Sequence, residues 1–252
     1  MDSIVCIKRV PQTTDLELKI DSSGKDIQKD RLTFDINESD SYAIEEAIRL
    51  KEKLGGTVTL VSIGEIENDD IIRMGLAKGA DSAIRIEYTG ELDGFATAQL
   101  LKNTIKDLKF DIIFTGCMAQ DDGYSMVGQT LAELLGIPYA SLVVKLDVEN
   151  NLATINRELE GSLIEKSEIK LPALFTIQTG INEPRYASLM AIRKAAGKEI
   201  KIADAKNTEL AKNTTITKLF TPPPSKQAEI LAGTTEEKAL KLTEILKEKG
   251  VL

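Results

Sequence analysis

The sequence predicts an α/β protein built on a doubly wound, mostly parallel sheet, with an added β-meander and a C-terminal extended arm plus helix. Three observations carry this. Up to residue 135, short apolar or β-branched runs alternate with amphipathic stripes of helical period, the rhythm of a parallel sheet covered on both faces. From Ala140 the helical stripes stop, and short strands succeed one another across turn signals. Beyond Lys198 the chain turns polar, then stiff through Thr221-Pro222-Pro223-Pro224, before a last amphipathic stretch. The expected division is an α/β domain over 1–200 and an arm with a helix over 201–252.

Ile4 to Ile7 is an apolar run that ends in Lys8-Arg9, a buried strand with two cations at its C-terminal edge. Asp21-Ser22-Ser23-Gly24 forms a turn. Asp40 or Ser41 then caps a helix whose apolar stripe is Ala43, Ile44, Ala47, Ile48 and Leu54, and Gly55-Gly56 stops it. Thr57 to Ile63 follows as a β-branched strand, 69–78 as a helix, Ser82 to Ile86 as a strand and Phe95 to Leu108 as a helix. Asp111 to Thr115 closes the series as a strand, and Tyr124 to Leu135 is the next helix.

The later strands are Ser141 to Leu146, Leu152 to Arg157, Leu163 to Ile169 and Ala173 to Thr176, a meander attached to the parallel sheet. Asn150-Asn151 and Glu160-Gly161-Ser162 are its turns. Polar stretches around Asn207 and Asn213 lead to the proline run, which cannot enter a sheet. The final helix opens on a capping box, Thr234 with Glu237, and carries Ala239, Leu242, Ile245 and Leu246 on one side.

Composition narrows the function. A net charge of −8 repels phosphate backbones, so nucleic-acid binding is disfavoured. The chain contains no histidine, which removes the commonest general base and the commonest metal ligand; no metal site and no catalytic residue are expected. Cys6 and Cys117 lack CxxC spacing and are too few for a disulfide scaffold, so they read as structural thiols of a reducing, cytoplasmic setting. No window approaches the roughly 20 apolar residues that span a bilayer, and no basic leader opens the chain, so neither membrane insertion nor secretion is expected.

In an open parallel sheet, ligands bind beyond the C-terminal ends of the strands. Three loops qualify: Cys6 to Thr14, Asn37 to Asp40 and Thr115 to Val127. The third has glycines at 116, 123 and 128 on a strand-turn-helix; Gly116 permits close approach, and Gly123 lies where free N–H groups could receive a phosphate. It is neither a Walker A loop nor the GxGxxG fingerprint, and on the glycines alone an ordinary strand-to-helix loop competes evenly. Asp121 and Asp122 oppose a bare phosphate; capping of the helix is their first role, ribose binding their second.

The segment Ile181-Asn182-Glu183-Pro184-Arg185-Tyr186-Ala187-Ser188-Leu189 closely resembles the signature region of electron transfer flavoprotein β subunits. Val5 to Val10 resembles that family's opening strand, Ala43 to Lys51 its first helix and Gly75 to Asp81 the end of its second. The loop from Gly116 to Gly128, Asn156-Arg157-Glu158 and Lys170-Leu171-Pro172-Ala173 extend the likeness over residues 3 to 200, in the family's order. The arm matches in general character only.

The resemblance implies a sheet of the adenine-nucleotide-binding type in a heterodimer, with FAD lying mainly on an α subunit and this chain forming one wall. It implies a structural AMP in this chain, held by Cys6, Asn37, Ile63, Gly116 and the loop Asp121, Asp122, Gly123, Tyr124, Ser125, Met126 and Val127. In electron-bifurcating members the same cavity holds a second FAD that oxidises NADH. Gln120, Gly123 and Tyr124-Ser125-Met126 depart from both patterns; Val127 leans towards FAD, whereas Asp122 and Gln129 tip the balance to AMP.

The resemblance also makes 181–198 a recognition loop, in which Leu189 anchors in a dehydrogenase pocket behind Pro184, Arg185 and Tyr186. Without it, Leu189 reads as core. Glu158 would pair with an α-subunit arginine and bias the flavin domain's position, where a solvated strand charge is the plainer reading. The implied role is electron transfer from acyl-CoA dehydrogenase-type flavoenzymes to a quinone-linked oxidoreductase. A stand-alone nucleotide-binding stress or signalling module is the rival from another class, and the meander and arm speak against it.

Overall fold

The protein's structure is a computed structural model that describes residues 1–13, 18–205, 208–223, 228 and 230–251. Thr14, Asn207 and Pro224, which figure in the expectations above, lie outside the described residues. The chain divides into Met1–Thr217 and Lys218–Leu252.

In the first unit the strands are β1 (Ser3–Cys6), β2 (Arg9–Pro11), β3 (Phe34–Ile36), β4 (Val58–Ile63), β5 (Ser82–Glu87), β6 (Ile112–Gly116), β7 (Tyr139–Glu149), β8 (Leu152–Leu159), β9 (Leu163–Lys170), β10 (Ala173–Ile177) and β11 (Lys201–Asp204). Between them run α1 (Glu38–Leu54), α2 (Asp69–Lys78), α3 (Gly94–Ile105), α4 (Val127–Leu135) and α5 (Leu189–Ala196). One sheet runs β11-β5-β4-β1-β6-β10-β7-β8-β9, parallel as far as β7, with β8 and β9 antiparallel. Ser3 on β1 is in register with Val58 on one side and Ile112 on the other.

The apolar runs exist because both faces are covered. Along β1, Val5 joins the cluster around α1 and α2, while Ile4 and Cys6 join the one around α3 and α4. The α1 stripe Ala43, Ile44, Ala47 and Ile48 is buried, and Phe114 on β6 packs against Phe175 on β10 with ring centroids 6.2 Å apart.

The meander is real but one strand shorter than expected. Asn150 and Asn151 both adopt positive φ, the requirement of a two-residue hairpin turn, and the chain turns again through 160–162 into β9. The expected fourth strand, Ala173 to Thr176, is no part of it. As β10 it inserts between β6 and β7, parallel to both, with every residue buried. Ala-Leu-Phe-Thr-Ile is apolar on both faces, so it belongs in a doubly covered sheet, whereas exposed and half-buried residues alternate along β9.

Four elements had no sequence expectation. The short β2–β3 pair sets Asn37 N–H on the Lys8 carbonyl at 2.9 Å, which brings the start of α1 to the end of β1. The opening of the presumed arm, 201–204, adds β11 to the sheet edge. Helix α5 occupies the middle of the expected loop.

In the second unit, α6 (Thr235–Glu248) begins at Thr234, whose hydroxyl accepts from Glu237 N–H while the Glu237 carboxylate accepts from Thr234 N–H, completing the expected capping box. Among the described residues no helix is long and apolar enough to cross a membrane.

Candidate functional site at the switch point of the sheet

The chain leaves β1 to build β4 and β5 on one side, then crosses to β6 on the other. A crevice opens at such a reversal, beyond the carboxyl ends of the strands. Here it is a cavity of about 480 Å³, walled by the ends of β1, β4 and β6, the 88–92 segment and the loop before α4. Cys6, Asn37, Ile63, Gly116, Asp121, Asp122, Tyr124, Ser125, Met126 and Val127 all line it. Gly123 does not; it shapes the turn, with φ +65° and its N–H donated to the Ala119 carbonyl.

Asp40 holds the floor together. The helix starts three to four residues earlier than expected, with Asn37 at the cap position, so neither Asp40 nor Ser41 caps it. The buried Asp40 carboxylate instead accepts from Lys8 N–H and Gly116 N–H, at 2.8 Å each, tying the ends of β1 and β6. Burial pushes its pKa up to about 6, against the lowering effect of these bonds and of Asn37. Gly116 is a glycine for a steric reason: a Cβ there would overlap the Asp40 carboxylate and the Ser39 side chain.

Asn37 is used up by the protein. Its amide donates to the Met118 carbonyl at 2.9 Å and accepts from Gln120 N–H at 3.1 Å, which pins the loop after β6. The acidic pair does not cap α4 either. Lys8 Nζ lies 2.6 Å from both Asp121 and Asp122, and burial of the ammonium is outweighed by these carboxylates, so its pKa rises. A cation at the strand end thus neutralises acids that would otherwise repel an anion. The expected cap fails because α4 begins at Val127, four residues after Gly123, with no side chain capping its first turn.

That uncapped turn faces the cavity, since Ser125, Met126 and Val127 line it. Free N–H groups and the positive end of the helix dipole suit an anion there. Gly128 lets α4 lie directly on the sheet, where a Cβ would meet Thr115 and Thr176. Thr115 Oγ1 is buried at the cavity with no hydrogen-bond partner among the described residues, an orphan a ligand could satisfy. Ile63, Tyr88 and Leu92 supply apolar wall. The residues therefore fit an adenine nucleotide. Sequence reasoning reached Thr115 only as the start of its third loop, with no role for the hydroxyl, and missed Asp40's bridging role and the 88–92 segment; the last follows the end of β5, as the first and third chosen loops follow strand ends.

Cys6 and Cys117 are free thiols, and burial pushes both pKa values up, so neither is an activated nucleophile.

The expected partner-binding residues separate. Tyr186, Leu189 and Met190 are 99%, 78% and 82% exposed, so Leu189 is not core. The opposite face of α5, with Ala191 and Ala195, packs on the body. Arg185 is not part of a free turn: its guanidinium bonds Glu45 at 2.9 and 3.0 Å and Glu52 at 2.6 and 3.0 Å, both on α1. Pro184 precedes it, half-buried. Glu158 sits elsewhere, exposed on β8 beside a surface hollow with Leu142, Leu159 and Leu163.

The family model for the electron transfer flavoprotein domain matches residues 26–208. Among curated relatives, the electron transfer flavoprotein subunit beta of Bacillus subtilis is 38% identical over 99% of both chains. The corresponding subunit of Methylophilus methylotrophus is 35% identical over 95% of this chain and 96% of its own. That of Dictyostelium discoideum is 33% identical over 99% of this chain and 98% of its own. On matches of this extent, the chain belongs to the electron transfer flavoprotein family, among its β subunits.

Proposed function

We propose that this chain works as one half of a heterodimeric electron carrier, with FAD held mainly by an α subunit and a structural AMP buried in the switch-point cavity. The observation that carries the AMP reading is the pairing of an uncapped α4 N-terminus with the orphaned Thr115 hydroxyl in a cavity of about 480 Å³. That size is at the modest end of the small-molecule range of about 300–1,000 Å³. The FAD supplies the electron-accepting chemistry. This chain's residues bind, orient and exclude water: no histidine and no low-pKa thiol offers acid, base or nucleophile.

In this reading electrons come from acyl-CoA dehydrogenase-type flavoenzymes, which dock on Leu189 and its neighbours, and pass to a quinone-linked oxidoreductase. Glu158 biases the flavin domain's position through an arginine of the α subunit, the part of the expected 201–252 arm that lies beyond β11 docks on that subunit, and the complex works in the cytoplasm. A second FAD oxidising NADH is the competing occupant, favoured by Val127 alone. The test is to co-express the chain with its α subunit, release the nucleotides by denaturation and quantify them. One FAD and one AMP per heterodimer are expected. Two FAD and no AMP would transfer the reading to a bifurcating enzyme.

A further inference from the structure

The exposed apolar residues at the start of α5 sit on a segment that is short and lacks a core of its own, yet it is held at both ends. Before the helix, Asn182 donates to the Tyr42 carbonyl at 3.1 Å and to Glu46 at 2.9 Å, both on α1. Arg185 then makes five bonds to α1: its N–H and guanidinium to Glu45, and the guanidinium again to Glu52. Glu45 is buried, so this is a planar, forked guanidinium on a desolvated carboxylate, the geometry that lysine cannot reproduce. At the other end Arg73 of α2 donates to the carbonyls of Ala195, Ala196 and Lys198, at 3.1, 2.8 and 3.3 Å, placing a cation on the negative end of α5. Lys198 Nζ returns to the Ala80 carbonyl at 2.7 Å.

We propose that Arg185 and Arg73 are positioning residues that hold Tyr186, Leu189 and Met190 as a preformed docking platform, with Arg185 acting wholly through Glu45 and Glu52 and not by contact with the partner. This rests on the docking role proposed above. Ala191 and Ala195 seat α5 on the body, and the clamped ends leave the apolar residues outward without freedom to fold back. Ordering these side chains in advance removes a cost otherwise met on binding.

The experiment uses the reconstituted heterodimer as electron acceptor for an acyl-CoA dehydrogenase reduced by its acyl-CoA, with flavin content checked for each variant. Arg185→Ala and Arg73→Ala should each raise KM about three- to tenfold with kcat unchanged. Glu45→Gln with Glu52→Gln should reproduce the Arg185→Ala effect, and combining all three changes should add nothing. Hydrogen exchange of the α5 amides should quicken in both arginine variants, a readout that needs no donor.

If the double glutamine variant keeps the parent KM while Arg185→Ala raises it, the guanidinium reaches the partner directly and the proposal is wrong. Unchanged α5 exchange in both arginine variants would overturn it as well. Leu189→Ala separates the docking role from the clamps. If it raises KM and the arginine variants do not, the clamps are irrelevant; if it leaves KM unchanged, the docking role itself fails and takes this proposal with it.

Discussion

Asp40 accepts one backbone N–H from the end of β1 and one from the end of β6, so its two oxygens set the spacing of strands that frame the cavity. Asn at this position offers one acceptor and one donor group, leaving Lys8 N–H or Gly116 N–H facing an NH₂. Asp40→Asn should therefore cost about 1–3 kcal/mol in urea unfolding at neutral pH. The pH dependence has a definite sign. A folded pKa of about 6 lies above the 3.8 of an unperturbed aspartate, so the native state holds more protons between these values. This group's contribution is full below about pH 4 and is lost as pH rises through 6. The stability difference between the parent and Asp40→Asn should shift in favour of the parent as pH falls from 7 to 5, and no shift would place the titration elsewhere. At Gly116 the added methyl of Gly116→Ala would push on the same carboxylate; a loss of about 1–3 kcal/mol is expected by thermal or urea melting, with nucleotide released from the purified complex.

At the scale of elements, α5 shows how a helix divides its duties. Ala191 faces the body and Leu189 faces out, two residues and roughly half a turn apart. Leu189→Ala should leave unfolding stability within about 0.5 kcal/mol, because an exposed side chain loses no packing. The same change should raise KM for the donor dehydrogenase about fivefold or more. Ala191→Leu should do the reverse, destabilising by about 1–3 kcal/mol because the small residue lets the helix lie close to its neighbours. Legibility follows the same physics. The stripe of α1 could be read because its period matches its burial, and the Asn150-Asn151 and Thr234–Glu237 signals act within a few residues of themselves. The start of α1 could not be read, since what claims Asp40 is a pair of amides 32 and 76 positions away. The partners of β10 were equally hidden: nothing local tells a strand that follows a hairpin to return between two earlier ones, although its unbroken apolar run was the available hint.

For the whole molecule, the division at Thr217 gives a test of what the C-terminal region is for. A chain ending at Thr217 should still melt cooperatively, since the sheet and both of its apolar clusters belong to the first unit. It should fail to assemble with the α subunit, as gel filtration of the co-expressed pair would show; normal assembly would remove the docking role proposed for the arm. Most of the cavity was legible because the C-terminal strand ends of a parallel sheet are where a ligand must sit, whatever the side chains. The roles of its individual residues were less so, as Asn37, Asp121 and Asp122 each turned out to be committed to the protein's own loop and to Lys8.

The buried thiol at the end of β1 has a consequence for the protein's working life. Carriers that handle electrons one at a time are neighbours of partly reduced oxygen, and cysteine is corroded through its thiolate. Burial and the nearby Asp40 charge keep Cys6 in the unreactive protonated form, so the floor of the cavity resists sulfenylation and alkylation for as long as the fold is closed. Ageing of such a subunit would begin at its exposed methionines, Met190 first among them, and so on the outer face of α5 before the floor of the cavity.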